Sequence, residues 1–287
     1  MQRRLTSING APRKVDGGVL FGSTPKRSWA QWMQPDPDNL VELPSRALLV
    51  QEPGRNVLIM AGSELLLASQ ERACSCKPAL PSVLGSLARA GLSEGDIDLV
   101  ILSHLQACPT PSQQQVIDEG GVLRVLFPNA RFLTGMDHWR RALHPHPHDR
   151  GRFITWMLRQ LEHGGRLLLA DEGSTPELGR GWRLHLSDGH TRGQLLPEVM
   201  LPNGPVLFAG DLIPARPWLD LAVTSAYDRN PELLVGEKER MLDYLVDHRG
   251  RLFMPRDPQH AVIKVVRDRQ ARYVAYDHVT ALQREEA

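Results

Sequence analysis

The sequence predicts an α/β protein in which two β-sheets pack face to face and carry helices on both outer faces, an αββα sandwich. Three observations point there. The apparent element order is strands, helix, strand, helices, strands, helix, strands, with no repeat and no linker of different composition. "IDLVILSH" is apolar without alternation, the pattern of a strand covered on both faces. Strand after strand ends in Gly or a polar residue, as in "VILSH", "HLSDGH" and "LFAGDL", which places chemistry along one edge of a layered structure.

The bulk numbers exclude several classes. The chain has 287 residues, 41% hydrophobic and 23% charged, with a net charge of +1. That is an ordinary globular composition with no basic stripe for nucleic acid. No run approaches the ~20 apolar residues of a membrane span. "MQRRLTSING" has no apolar stretch behind its arginines, so no secretory leader is expected. Three cysteines, Cys74, Cys76 and Cys108, suit a reducing cytoplasm better than a disulfide framework.

Taken in order, residues 1–45 read as an arm packed on the core, with turns at Gly17-Gly18 and Pro35–Asp38 and two tryptophans, Trp29 and Trp32, three apart. Residues 46–287 read as one domain. "RALLVQEP-GRN-VLIMAG" is a hairpin about a Pro-Gly turn. "PSVLGSLARAGL" places apolar residues at 83, 84, 87, 88 and 92 for an amphipathic helix that Gly91 helps end. A strand follows at 97–104 and a short one at 131–134. "DHWRRAL" begins a helix near Asp137. "RFITWMLRQLEHG" is helical up to its glycine. Four strands, "GRLLLAD", "WRLHLSDGHT", "PVLFAGDLIP" and "RLFMPRDP", come next. The helix "NPELLVGEKERMLDYLVDHRG" lies between the last two, capped by Asn230 with Pro231 at its first position. Two strands about Arg-Asp-Arg-Gln close the chain.

Two side-chain clusters invite a metal and read more simply otherwise. "HPHPHDR" packs His144, His146 and His148 into five residues, but alternating prolines hold such a segment extended, so an exposed loop is expected. Cys74 and Cys76, separated by one residue, read as part of a surface loop.

"ILSHLQACP", "SDGHTRGQ" and "LFAGDLIP" resemble, in order and spacing, motifs of the metallo-β-lactamase superfamily. "DGGVLFGSTPKRSW", "PDNLVELPSRALLV", "FPNARFLTGMDHW" and "SAYDRNPELLVGEKERML" resemble its lactonase-related branch. The likeness runs over roughly residues 14–277. It implies the αββα fold. It also implies a pair of metal ions held by a His-x-His-x-Asp-His loop, a Gly-His-Thr histidine, a Gly-Asp aspartate and a late histidine. Such ions acidify a bound water that attacks a carbonyl or phosphorus.

The chain departs from that pattern. His104, His190 and Asp211 match it. Gln106 stands for the second histidine, Cys108 for the aspartate and Pro109 for the histidine beside it. Arg256, in Arg256-Asp257-Pro258, stands for the late histidine, and Met60-Ala61-Gly62 replaces an Asp-Thr-Gly. His260 lies four residues beyond Arg256 and needs a register shift to replace it. The second ion would keep only Asp211 and would face a permanent positive charge from Arg256, so no dinuclear centre is expected.

Two readings of the first position stay open. His104, His190 and Asp211 suffice for one Zn, Fe or Mn ion, serving a hydrolase of lactones, esters or phosphoesters. Alternatively Arg256 pairs with Asp211 in place of metal charge, and the cleft, lined by Gln106, Cys108 and Arg256, binds a small anionic or carbonyl ligand without hydrolysis. A third, weaker reading makes Cys108 a thiolate nucleophile beside a histidine. Asp188 either orients a histidine or ends a strand, Thr191 caps a turn, Trp218 walls the cleft or packs a loop, and Asp228 caps a helix. The tryptophan-bearing N-terminal segment suggests a homodimer.

Overall fold

A computed structural model describes residues 3–69, 82–107, 123–283 and 285–286. Cys74, Cys76, Cys108 and Pro109 lie outside these, so the thiol readings stay at the level of sequence. The first layer of strands is a seven-stranded sheet. It contains β1 (Arg4–Asp16), β2 (Leu40–Glu52), β3 (Arg55–Met60), β5 (Leu99–Leu102), β7 (Arg131–Gly135), β8 (Leu167–Ala170) and β15 (Glu285–Glu286), in the order β15-β1-β2-β3-β5-β7-β8. The second is a six-stranded sheet of β9 (Trp182–Ser187), β10 (Gln194–Val199), β11 (Val206–Phe208), β12 (Arg251–Phe253), β13 (Val262–Arg267) and β14 (Tyr273–Val279), in the order β14-β13-β12-β11-β10-β9. A small ribbon pairs β4 (Leu67–Ser69) with β6 (Leu123–Val125).

The pleat of the central strands sorts the core into layers. Leu48 and Val50 of β2, Val57 and Ile59 of β3 and Ile101 of β5 face the other sheet, meeting Leu184, Leu195, Phe208 and Phe253. Their neighbours Ala47, Leu49, Leu58, Met60, Val100 and Leu102 face outward. There they meet three helices: α3 (Val83–Arg89), α4 (Met136–Leu143) and α5 (Thr155–His163), through Leu87, Trp139, Met157 and Leu161. The second sheet is covered by α6 (Pro231–Asp247), through Leu234, Leu242 and Leu245. The short helices α1 (Gly17–Phe21) and α2 (Lys26–Trp29) bring Phe21 and Trp29 to the same cluster. Three apolar clusters between four layers are the predicted αββα sandwich. Each fully buried Leu, Ile or Phe contributes about 1.5–3 kcal/mol.

Two elements differ from the sequence reading. Residues 1–45 are not an arm laid on a finished core. β1 is a 13-residue strand hydrogen-bonded to β2 from Arg4↔Gln51 to Asp16↔Leu40. Leu5, Ile8 and Val15 are buried along it, and the Gly10-Ala11-Pro12 step forms a bulge, where the register shifts between Gly10 and Arg13. A Cβ on Gly10 would meet the Leu65 side chain at 2.3 Å, which explains the glycine. The second is β10, "QLLPEV", hidden in the sequence by Pro197. Proline argues against a central strand, yet Pro197 pairs with Leu184 of β9 and every residue of β10 is buried.

The topology creates the site edge. β3, β5, β7 and β8 run parallel, and so do β11 and β12. The segments leaving the carboxyl ends of β3, β5, β9, β11 and β12 carry Glu64, His104, His190, Asp211 and Arg256 in turn. Crevices beyond carboxyl strand ends are where such folds bind ligands. No helix among the described residues is long and apolar enough to cross a membrane.

Candidate functional site

Each site residue is held by its own local device. After β5, the backbone passes into the gap between the sheets: Leu195 N–H donates to Ser103 O (2.9 Å), and Ser103 Oγ donates to Leu195 O (2.6 Å). Leu105 N–H then donates to His138 Nε2 (2.8 Å), and His138 Nδ1–H donates to Arg192 O (2.8 Å). Burial, and next the neighbouring His104, push the His138 pKa down to about 3, so the ring is neutral and serves as a strut between both histidine-bearing turns. Nothing in "MDHW" distinguishes that role from an ordinary helical histidine.

The His190 turn rests on α6. The Glu237 carboxylate accepts from Ser187 Oγ (2.7 Å), Asp188 N–H (2.8 Å) and Gly189 N–H (3.0 Å). A Cβ on Gly189 would lie 2.5 Å from Leu234 Cα, so only glycine lets the turn approach the helix this closely. Glu237→Gln replaces a three-bond anionic acceptor with an amide whose N–H₂ faces at least one of these donors. The expected loss is about 1.5–3 kcal/mol, read from urea unfolding midpoints; an unchanged midpoint contradicts the cradle.

Asp188 does not orient His190; its Oδ1 accepts from Gly193 N–H (2.7 Å). Asp228 does, with Oδ1 2.8 Å from His190 Nδ1, while its Oδ2 accepts from Ser225 N–H (2.7 Å). The carboxylate holds a proton on Nδ1 and turns Nε2 towards the cleft. Beneath this loop, the fully buried Lys238 donates to Asp220 O and Val223 O, both at 2.8 Å. Burial lowers its pKa to about 8 despite nearby Asp228 and Asp220.

Asp211 follows Gly210, whose φ of +55° and contacts with Gln194 and Ser103 exclude a side chain. The aspartate is shared between two kinds of partner. Oδ2 lies 3.1 Å from His104 Nε2 and 3.8 Å from His190 Nε2, and Oδ1 accepts from Arg256 Nε at 3.2 Å. Arg256 is only 2% exposed, and its other donors are engaged as well. Nη2 reaches Ala61 O (2.9 Å) and Glu64 Oε1 (3.0 Å), and Nη1 reaches Ser45 Oγ (3.4 Å). Arg13 Nη1 stands 3.6 Å from the same Glu64 oxygen.

The electrostatics follow from this lattice. Burial alone would raise the Asp211 pKa, but Arg256, and next the hydrogen bond from His104, outweigh it and hold the carboxyl well below its usual 3.8. Burial likewise opposes the charge on Arg256, and Asp211 and Glu64 overcome it, so the guanidinium is held above its ordinary value. Burial lowers His104, with Asp211 pulling the other way, which makes the ring neutral with its proton on Nε2. His104 Nδ1 is buried and has no partner among the described residues.

The fit of metal ions can be tested on these atoms. The nearest ligand atoms of His104, His190 and Asp211 lie within 4.8 Å of one another. One divalent ion with bonds of about 2.0–2.2 Å in a tetrahedron holds its ligand atoms about 3.4 Å apart, so the set must tighten to take one. Two observations oppose it. Metal-bound histidines donate their other N–H, and His104 Nδ1 has nothing to donate to among the described residues. Arg256 also already neutralises Asp211. A second ion does not fit, because the Asp211 oxygen turned away from the histidines carries the guanidinium.

Of the remaining candidates, Gln106 lines the same cleft and donates through Nε2 to Asp149 Oδ2 at 3.3 Å. Trp218 forms a cleft wall and stacks on Phe21 at 5.0 Å. His144, His146 and His148 are exposed and are not among the residues lining the cleft, and His260 N–H is tied to Asp257 Oδ1 (2.8 Å). The cleft encloses about 690 Å³, including its solvent-open mouth. Sequence reasoning missed Glu64, Arg13 and Glu237, and assigned Asp228 to capping.

No family model matches the chain, and no curated protein matches it. Solved structures do. A probable metal-dependent hydrolase from Staphylococcus aureus aligns at 21% identity over 96% of this chain and 98% of its own, with a TM-score of 0.76. AidC, a dizinc quorum-quenching lactonase, aligns at 17% identity over 96% and 95%, with a TM-score of 0.72. The hydrolase AbOPH of the beta lactamase superfamily aligns at 18% identity over 95% and 93%, with a TM-score of 0.70.

Proposed function

We propose that this chain, a protein of the metallo-β-lactamase fold, has exchanged dinuclear metal chemistry for a fixed-charge cleft that binds a small anionic or carbonyl-bearing ligand. One observation carries the reading: Arg256 Nε sits 3.2 Å from Asp211 Oδ1, on the carboxylate that would bridge two ions. A guanidinium supplies the positive charge permanently, needs no cation from solution and binds no nucleophilic water. The neutral His104 and the Nε2 of His190 then act as hydrogen-bonding groups on the cleft floor. Supplied with Zn, Fe or Mn, the protein is expected to show no sustained turnover of lactones, esters or phosphoesters. Steady turnover abolished by His190→Ala refutes this reading.

A second reading is favoured by the convergence of three donors. His104, His190 and Asp211 would hold one divalent ion, with Asp228 fixing the His190 ring. The ion would polarise a carbonyl or phosphoryl oxygen as a Lewis acid. On this reading Arg256 must release Asp211 in part, and His104 must turn a buried N–H towards no described acceptor.

A further inference from the structure

We infer that Arg152, lying over the ring of Tyr227, is the cleft's receptor for the carboxylate of an organic acid with an apolar body. This rests on the ligand-binding reading above and names the group that recognises the ligand, a role the sequence assigned to Arg256.

Three arginines line the cleft: Arg13, Arg152 and Arg256. Arg256 is only 2% exposed and four of its five N–H groups face Asp211, Glu64, Ala61 O and Ser45, so it has little left to offer a ligand. Arg13 faces Glu64. Arg152 differs from both. Its guanidinium carbon lies 3.7 Å from the Tyr227 ring centroid, and its side-chain N–H groups have no acceptor among the described residues. The backbone beneath is fixed, with Arg152 N–H donating to Asp149 O (2.9 Å) and Arg152 O accepting from Ala107 N–H (2.8 Å). Tyr227 is fixed too. Its N–H donates to Ser225 Oγ (3.2 Å), and the next residue is Asp228, anchored on His190.

A guanidinium over an aromatic face keeps its N–H fork in its own plane, where a carboxylate accepts two parallel bonds. Arg256 and Arg13 face Asp211 and Glu64, and Asp228 is bonded to His190, so Arg152 is the lining arginine with no carboxylate partner among the described residues, which suits a single ligand carboxylate. The facing wall is apolar, built from Val15, Leu20, Leu43, Pro214 and Trp218, so the rest of the ligand is expected to be hydrocarbon-like.

The test is calorimetric titration of the full chain with octanoate and with octanamide, which shares the body and lacks the charge. The unmodified protein is expected to bind octanoate saturably and more tightly than octanamide. Arg152→Met should weaken octanoate roughly tenfold to a hundredfold, the loss expected for a charge-assisted pair, and leave octanamide unchanged. Arg152→Lys keeps the charge without the fork and should fall between. Equal octanoate affinity in Arg152→Met, with a melting profile showing it folded, overturns the assignment. If octanamide still binds, and binding is lost when Ala215→Trp fills the cleft, the binding cleft stands and only the role of Arg152 fails. If the unmodified protein binds neither probe at millimolar concentration, both this inference and the ligand-binding reading fail.

Discussion

Arg256→Ala is expected to cost about 3–5 kcal/mol of folding stability at neutral pH, the largest effect of any single substitution at the site. The guanidinium is the shared partner of Asp211 and Glu64, and removing it leaves a buried and a half-buried carboxylate with only Arg13 near Glu64 and the histidines near Asp211. The pH dependence distinguishes this from a simple packing loss. In the unmodified protein Asp211 is held well below its usual 3.8. Its contribution is therefore present above the unfolded value and lost only as pH falls towards the lower folded value. Without Arg256, burial is no longer opposed by the guanidinium and raises the Asp211 carboxyl above its unfolded value. The folded variant then takes up a proton at Asp211 first, so its deficit against the unmodified protein should narrow as pH falls from 7 towards about 5, while both share the loss from His104 and His138, which are buried neutral and charge on unfolding. Urea unfolding at both pH values reads this directly. A variant whose stability falls in parallel with the unmodified protein contradicts the charge lattice.

Arg256→His is expected to change metal content most. The substitution removes the cation from Asp211 Oδ1 and places an imidazole at the end of β12, beside a set that already brings His104 Nε2, His190 Nε2 and Asp211 Oδ2 together. Three His and one carboxylate suit zinc, and the repulsion that excludes the ion is gone. The variant should retain about one equivalent of zinc through gel filtration where the unmodified protein retains far less. A variant that binds no more zinc than its parent shows that the His104 environment, and not Arg256, excludes the ion. That result would follow from His104 Nδ1, which has no partner among the described residues.

Much of this was legible in the sequence because strands and strand-end motifs are local. The unbroken apolar run of β5 and the alternate sorting of Ala47, Leu48, Leu49 and Val50 between two cores come from one strand at a time. His104, His190, Asp211 and Arg256 each follow a strand, so their convergence followed from the topology. What stayed hidden depends on long-range pairing. Glu64 sits in an unremarked "GSELL" and meets Arg256 across 192 positions (256 minus 64). Asp228 meets His190 across 38 positions, and Glu237 is a mid-helix glutamate 48 residues from the glycine it holds. β1 and β10 were obscured by Pro12 and Pro197, whose local chemistry argues against strands that tertiary pairing nevertheless enforces. Arg152 follows "HPHPHDRG", where three histidines draw attention from the residue that lines the cleft.

The most direct test is the metal content of untagged protein, grown with Zn, Fe and Mn available, purified without chelator and measured by plasma mass spectrometry beside His190→Ala. The fixed-charge account predicts only traces of metal in both. A full equivalent or more in the unmodified protein, lost in His190→Ala, contradicts it and makes the cleft a metal site.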